Sequence, residues 1–76
     1  MKPIIYITPT CVYCRMAKEY FKQKGLEWEE YNVATDLKAR EEMLKKSHQM
    51  GVPVIDIGGA IIVGFDRSAI DKALGL

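Results

Sequence analysis

Two cysteines, Cys11 and Cys14, are separated by Val12 and Tyr13 and are the only thiols in the chain. A pair at this spacing can exchange disulfides: the first thiolate attacks a foreign disulfide, and the second then displaces the mixed disulfide. The same spacing also serves zinc. Here the only further strong ligand is His48, at the far end of a separate helical segment, so a closed four-ligand site lacks partners. A structural staple is the other plain alternative, but a bridge closing so short a loop constrains the unfolded chain by only about 2 kcal/mol. Met1-Lys2 also leads straight into a short apolar run, without the pattern of a secretory signal that would favour a disulfide framework. Exchange chemistry is the expectation.

The elements around the pair suit that chemistry. Lys2–Thr8 is short, β-branched and apolar, which predicts a buried strand. Thr8, Pro9 and Thr10 make the turn, and a helical period begins at Val12, so Cys11 falls at a helix start. Unpaired backbone N–H groups and the positive dipole end favour an anion there, which stabilises a thiolate. Cys14, one turn inside, is expected to be less exposed. Val12, Met16, Ala17, Tyr20 and Phe21 share one helical face, with Lys18, Lys22 and Gln23 opposite, and Gly25 can stop the helix. Leu26–Val33 predicts a second strand, an edge kept soluble by Glu27, Glu29 and Glu30. Thr35 or Asp36 can cap a second helix running to about Gln49 and ended by Gly51. The pairs Glu41/Lys45 and Glu42/Lys46 support it, and Leu37, Met43, Leu44 and Met50 supply its apolar side. Pro53–Ile57 and Ala60–Val63 predict strands joined by a Gly58-Gly59 type I′ turn. Asp66 can cap a final helix that turns Ala69, Ile70, Ala73 and Leu74 inwards. The order β-α-β-α-β-β-α is an α/β arrangement. Its opening strand–helix–strand demands a parallel pair and its closing hairpin adds antiparallel strands. A four-stranded mixed sheet with helices on both faces follows.

Composition limits the remaining possibilities. The 76 residues match one domain, and 49% apolar with 28% charged residues is ordinary for a globular chain. Eleven Lys and Arg against ten Asp and Glu leave a net charge of +1, with no basic footprint for nucleic acid or an anionic membrane. The longest apolar run is four residues, where a helical membrane span needs about 20. The expectation is a cytoplasmic monomer, since no large apolar stripe is left over once the elements are assigned.

The pattern as a whole resembles the glutaredoxin family, within the thioredoxin fold. Cys11-x-Tyr13-Cys14 matches the family's C-P-Y-C motif at three of four positions, and Arg40–Ser47 resembles its second-helix segment. Val52-Pro53 matches its T-V-P motif, and Gly64-Phe65-Asp66 falls at its G-x-D element. The resemblance implies a single domain over residues 1–76, and a disulfide oxidoreductase with Cys11 as nucleophile and Cys14 as resolving thiol. It implies glutathione as cosubstrate, with no bound cofactor or metal. It further implies a cis Val52-Pro53 bond that leaves the Val52 backbone free to pair with an extended peptide such as glutathione. Arg40 would meet the glycine carboxylate of glutathione, and the Phe65 and Asp66 N–H groups its γ-glutamyl carboxylate. The Asp66 side chain would hold the γ-glutamyl ammonium, and Tyr13 would flank the sulfur. Protein disulfides are the implied partners, ribonucleotide reductase being one candidate.

Three departures from the family pattern stand out. Val12 replaces the usual proline, Thr8 stands where many relatives have lysine, and Gly51 replaces the threonine before Val-Pro. The first two, with the short chain and the Gly64-Phe65 pair, lean toward the related NrdH-type redoxins, which thioredoxin reductase reduces and which supply ribonucleotide reductase. Tyr13, Arg40 and Asp66 favour the glutathione reading over that alternative. A third possibility is an iron–sulfur carrier, with two chains bridging a [2Fe–2S] cluster through Cys11 and two glutathiones.

Overall fold

A computed structural model describes residues 2–76, so the reading of the Met1-Lys2 start lies partly outside the described residues. The elements in chain order are β1 (Ile4–Ile7), α1 (Val12–Gln23), β2 (Glu29–Asn32), α2 (Leu37–Ser47), β3 (Val54–Ile57), β4 (Ala60–Val63) and α3 (Arg67–Leu74). The strands form one sheet in the order β2-β1-β3-β4. β1 runs parallel to β2 (Ile5 opposite Glu30) and antiparallel to β3 (Ile5 opposite Ile55), and β3 and β4 are antiparallel. This is the thioredoxin fold.

Alternation along the central strands divides the core between the two faces of the sheet. Ile5 and Ile7 of β1, with Ile55 and Ile57 of β3, pack on one face against Ala17, Tyr20 and Phe21 of α1 and Ile70 of α3. Tyr6, between the two β1 isoleucines, and Val54, just before Ile55, face Ala39 and Met43 of α2 on the other side. The expected pattern of helices on both faces is therefore present.

Asp56, the other inward position of β3, is tied to α2 by Lys46 at 2.8 Å. The same ammonium donates to the Tyr6 hydroxyl at 2.8 Å, and Gly59 N–H donates to the Asp56 carboxylate at 2.9 Å. Burial raises the pKa of Asp56, but Lys46 and the Gly59 N–H outweigh it and hold the carboxyl below its usual range. Burial likewise works against the charge on Lys46, and its bonds to Asp56 and Tyr6 outweigh that and push its pKa up.

Two helix readings are corrected. α2 ends at Ser47, before Gly51, because His48 takes the left-handed conformation (φ 58°) and its N–H bonds back to the Leu44 carbonyl. Leu37, Leu44 and Met50 are exposed, leaving Met43 and Ala39 as the buried side of α2. On α1, Val12 and Met16 are exposed too, since the helix presents only Cys14, Ala17, Tyr20 and Phe21 to the sheet. Gly58 and Gly59 both adopt positive φ (59° and 97°), as a type I′ turn requires. No helix of the described residues is long and apolar enough to cross a membrane.

Candidate active site

The site begins where β1 gives way to α1. Cys11 is the N-cap of α1, with extended backbone (φ −85°, ψ 113°), and its sulfur accepts the Cys14 N–H at 3.1 Å. Capping is normally done by a Ser, Thr or Asp oxygen; here a half-buried sulfur takes that place at the N-terminus of α1.

Cys14 has the opposite setting. Its side chain is 1% exposed and belongs to the core between α1 and the sheet. Burial, followed by the hydrogen bond with Cys11, pushes its pKa up to about 12. Both cysteines are free thiols.

The loop before β3 meets Cys11 from the other side. Cys11 Sγ lies 3.7 Å from the Val52 carbonyl oxygen, within reach of a thiol donor. The Val52-Pro53 bond is cis. Among the described residues the Val52 N–H has no hydrogen-bond acceptor, so that edge is open to an extended chain. The loop is also tied to the start of α3, because Gly64 N–H donates to the Pro53 carbonyl at 2.8 Å. Phe65 follows, half-buried, edge-on to Tyr20 with ring centroids 5.9 Å apart. The Asp66 carboxylate caps α3 by accepting the Ala69 N–H at 3.1 Å.

These contacts join Cys11, Cys14, Val52, Pro53 and the Gly64-Phe65 turn into one assembly. Tyr13, on the first turn of α1, projects into solvent, 61% exposed. Arg40 stands apart from the assembly, in an open cleft of about 300 Å3 with Leu37, Glu41, Leu44 and Met50. Among the described residues it forms no ion pair. Within the described residues there is also no group of three or more His, Cys, Asp or Glu side chains placed to hold a metal.

Sequence reasoning missed Gln49. Its side-chain oxygen accepts the Gly51 N–H at 2.6 Å, and its side-chain nitrogen donates to the Gly51 carbonyl at 3.0 Å and to Ser47 Oγ at 3.1 Å. The signal available was Gly51 itself, a glycine two residues after an amide side chain and next to Val52-Pro53.

A half-buried thiol capping a helix start, a sealed second thiol one turn on and an open backbone edge on a thioredoxin fold define a thiol redox protein. The glutaredoxin family model matches residues 4–62. The chain is 54% identical over 70 residues to an uncharacterized glutaredoxin-like 8.6 kDa protein in the rubredoxin operon of Clostridium pasteurianum, covering 92% of this chain and 93% of that one. It is 39% identical over 73 residues to glutaredoxin 3 of Escherichia coli K12, covering 95% and 88%. Its structure is similar to that of the glutaredoxin-like protein NrdH-redoxin of Escherichia coli, with a TM-score of 0.85 at 26% identity over 95% and 93% of the two chains. The protein belongs to the glutaredoxin family.

Proposed function

We propose that the protein is a glutathione-dependent thiol–disulfide oxidoreductase that reduces protein disulfides and protein–glutathione mixed disulfides. The observation that carries this reading is the inequality of its two thiols. Cys11 Sγ is half-buried and receives the Cys14 N–H, whereas Cys14 is sealed, with its pKa pushed up to about 12. Sealed in the core and with its pKa held far above the ordinary thiol value, Cys14 is poorly suited to begin an exchange.

In the first step the Cys11 thiolate attacks one sulfur of the substrate disulfide. A Cys11 mixed disulfide forms, and the other sulfur leaves as a thiolate. Either of two nucleophiles then completes the reduction. Cys14 can lose its proton and attack the Cys11 sulfur, which releases the second substrate thiol and leaves a Cys11–Cys14 disulfide. Two glutathiones then reduce that bond and leave as oxidised glutathione. Alternatively, where glutathione is the group carried on Cys11, a second glutathione attacks it directly and Cys14 is not used. The burial of Cys14 favours this shorter route.

The Val52 N–H and C=O are suited to pair with the backbone of the bound peptide, beside the attacking sulfur. In this reading Phe65 and Asp66 offer N–H groups at the α3 N-terminus to the γ-glutamyl carboxylate. The Asp66 carboxylate, Arg40 and Tyr13 take the ammonium, the glycine carboxylate and the flank of the sulfur. The chain works as a single domain and as a monomer with glutathione and protein disulfides as partners, in a reducing compartment such as the cytoplasm.

A second reading rests on the likeness to the NrdH-redoxin, which spans nearly all of both chains. In that case thioredoxin reductase is the electron source and ribonucleotide reductase a candidate acceptor. One assay separates the two: reduction of a glutathionylated peptide, driven either by glutathione with glutathione reductase or by thioredoxin reductase. Turnover with glutathione that persists in Cys14→Ser is expected. Turnover with thioredoxin reductase alone would overturn the glutathione reading in favour of the second.

A further inference from the structure

We propose that Gln49 is a positioning residue that aims the Val52 N–H at the substrate backbone, and that Gly51 is required because it leaves room for the Gln49 amide. The inference rests on the reading that Cys11 performs exchange beside the Val52 peptide. The Gln49 side chain exchanges two hydrogen bonds with Gly51, accepting from its N–H at 2.6 Å and donating to its carbonyl at 3.0 Å. This is the bonding of a paired residue in an antiparallel ladder, supplied by a side chain. The Gly51 carbonyl and the Val52 N–H belong to one planar peptide unit. Holding the carbonyl therefore fixes the direction of the N–H on the opposite side.

The brace is itself anchored. Gln49 Nε2 also donates to Ser47 Oγ at 3.1 Å, and that hydroxyl reaches the Met43 carbonyl at 2.7 Å, in the last turn of α2. A rigid helix end is thereby connected through two side chains to the peptide plane beside Cys11. A Cβ at position 51 would lie 2.7 Å from Gln49 Oε1, too close for the amide to remain. Because the obstacle is the far end of a flexible side chain, a larger residue there would displace Gln49 rather than the backbone.

The test uses pre-reduced protein, freed of reductant, mixed with a disulfide, quenched in acid and read by mass as a second-order rate. One disulfide is a glutathionylated peptide, whose backbone can pair with Val52. The other is hydroxyethyl disulfide, which has no peptide backbone. Gln49→Ala is expected to slow the peptide reaction roughly five- to ten-fold, the worth of one directed hydrogen bond. Hydroxyethyl disulfide should slow by less than about two-fold, since it never uses the Val52 N–H. Gly51→Thr should reproduce that selective loss, and the double variant should be no slower than either single one, because both remove the same brace. Equal slowing of both disulfides, an unchanged peptide rate, or additive losses would each overturn the proposal. Wild-type protein inert toward both disulfides would overturn the exchange reading and this inference with it.

Discussion

From Cys11 to Cys14 is one helical turn, and over that turn the thiol position passes from a half-buried cap to the sealed core. The environments follow from backbone geometry: the N-cap position leaves a side chain among unpaired N–H groups, while a residue three further on faces the sheet. The expected attacking and resolving roles rest on the spacing and the position of the helix start, and the structure gives the two thiols the unequal surroundings that expectation calls for. Arg40 is a different case. It is exposed and has no ionic partner among the described residues, and its cleft is otherwise lined mostly by Leu37, Leu44 and Met50. Glu41 completes the cleft, and in the proposed reading Arg40 meets the glycine carboxylate of glutathione there. Arg40→Ala is expected to raise the KM for glutathione about two- to five-fold, the scale of a solvent-exposed ion pair, and to leave kcat unchanged. Steady-state kinetics at varied glutathione would show this, and an unchanged KM would remove Arg40 from the site.

At the scale of elements, α2 does two things: it covers one face of the sheet and it anchors the loop that carries Val52. The first depends on Met43 and Ala39, and on the Lys46–Asp56 ion pair, which joins α2 to β3 at 2.8 Å. Asp56 is held below the usual carboxylate range although burial opposes it. Its contribution is therefore complete above the unfolded carboxylate pKa, and is lost as pH falls through the lower folded value. Lys46 is shifted upward, so its share is complete at neutral pH and is lost only as pH rises through its folded pKa, beyond the ordinary lysine value. Asp56→Asn is expected to cost about 1–2 kcal/mol of stability at pH 7, since both partners are largely but not fully buried. In urea unfolding, that deficit should shrink as pH falls from about 5 to about 3. A deficit of the same size throughout would mean that Asp56 acts by packing rather than by charge.

Over the whole molecule, the parts legible in sequence were those written in local chemistry. Asp36 and Asp66 cap their helices, Gly58-Gly59 turns the hairpin, and β-branched runs form the central strands. The end of α2 was misplaced because His48, a residue with no strong left-handed preference, supplies the stop that a glycine would ordinarily mark. The exposed face formed by Leu37, Leu44 and Met50 was also hidden, since periodicity reports which residues share a face and not whether another layer covers it. Gln49 escaped because both its bonds to Gly51 are to backbone groups, leaving the glycine itself as the only trace in the sequence. The cysteine pair, Val52-Pro53 and Gly64-Phe65 were legible as motifs, and the fold brings them together through the Cys11–Val52 and Gly64–Pro53 contacts. The claim on which the account depends is that Cys11 attacks and Cys14 resolves. The most direct measurement is peptide mapping by mass after brief exposure of Cys14→Ser and Cys11→Ser proteins to oxidised glutathione at pH 7. The account predicts a glutathione adduct on Cys11 in the first variant and an unmodified Cys14 in the second. Rapid modification of Cys14 in Cys11→Ser, or none of Cys11 in Cys14→Ser, would contradict it.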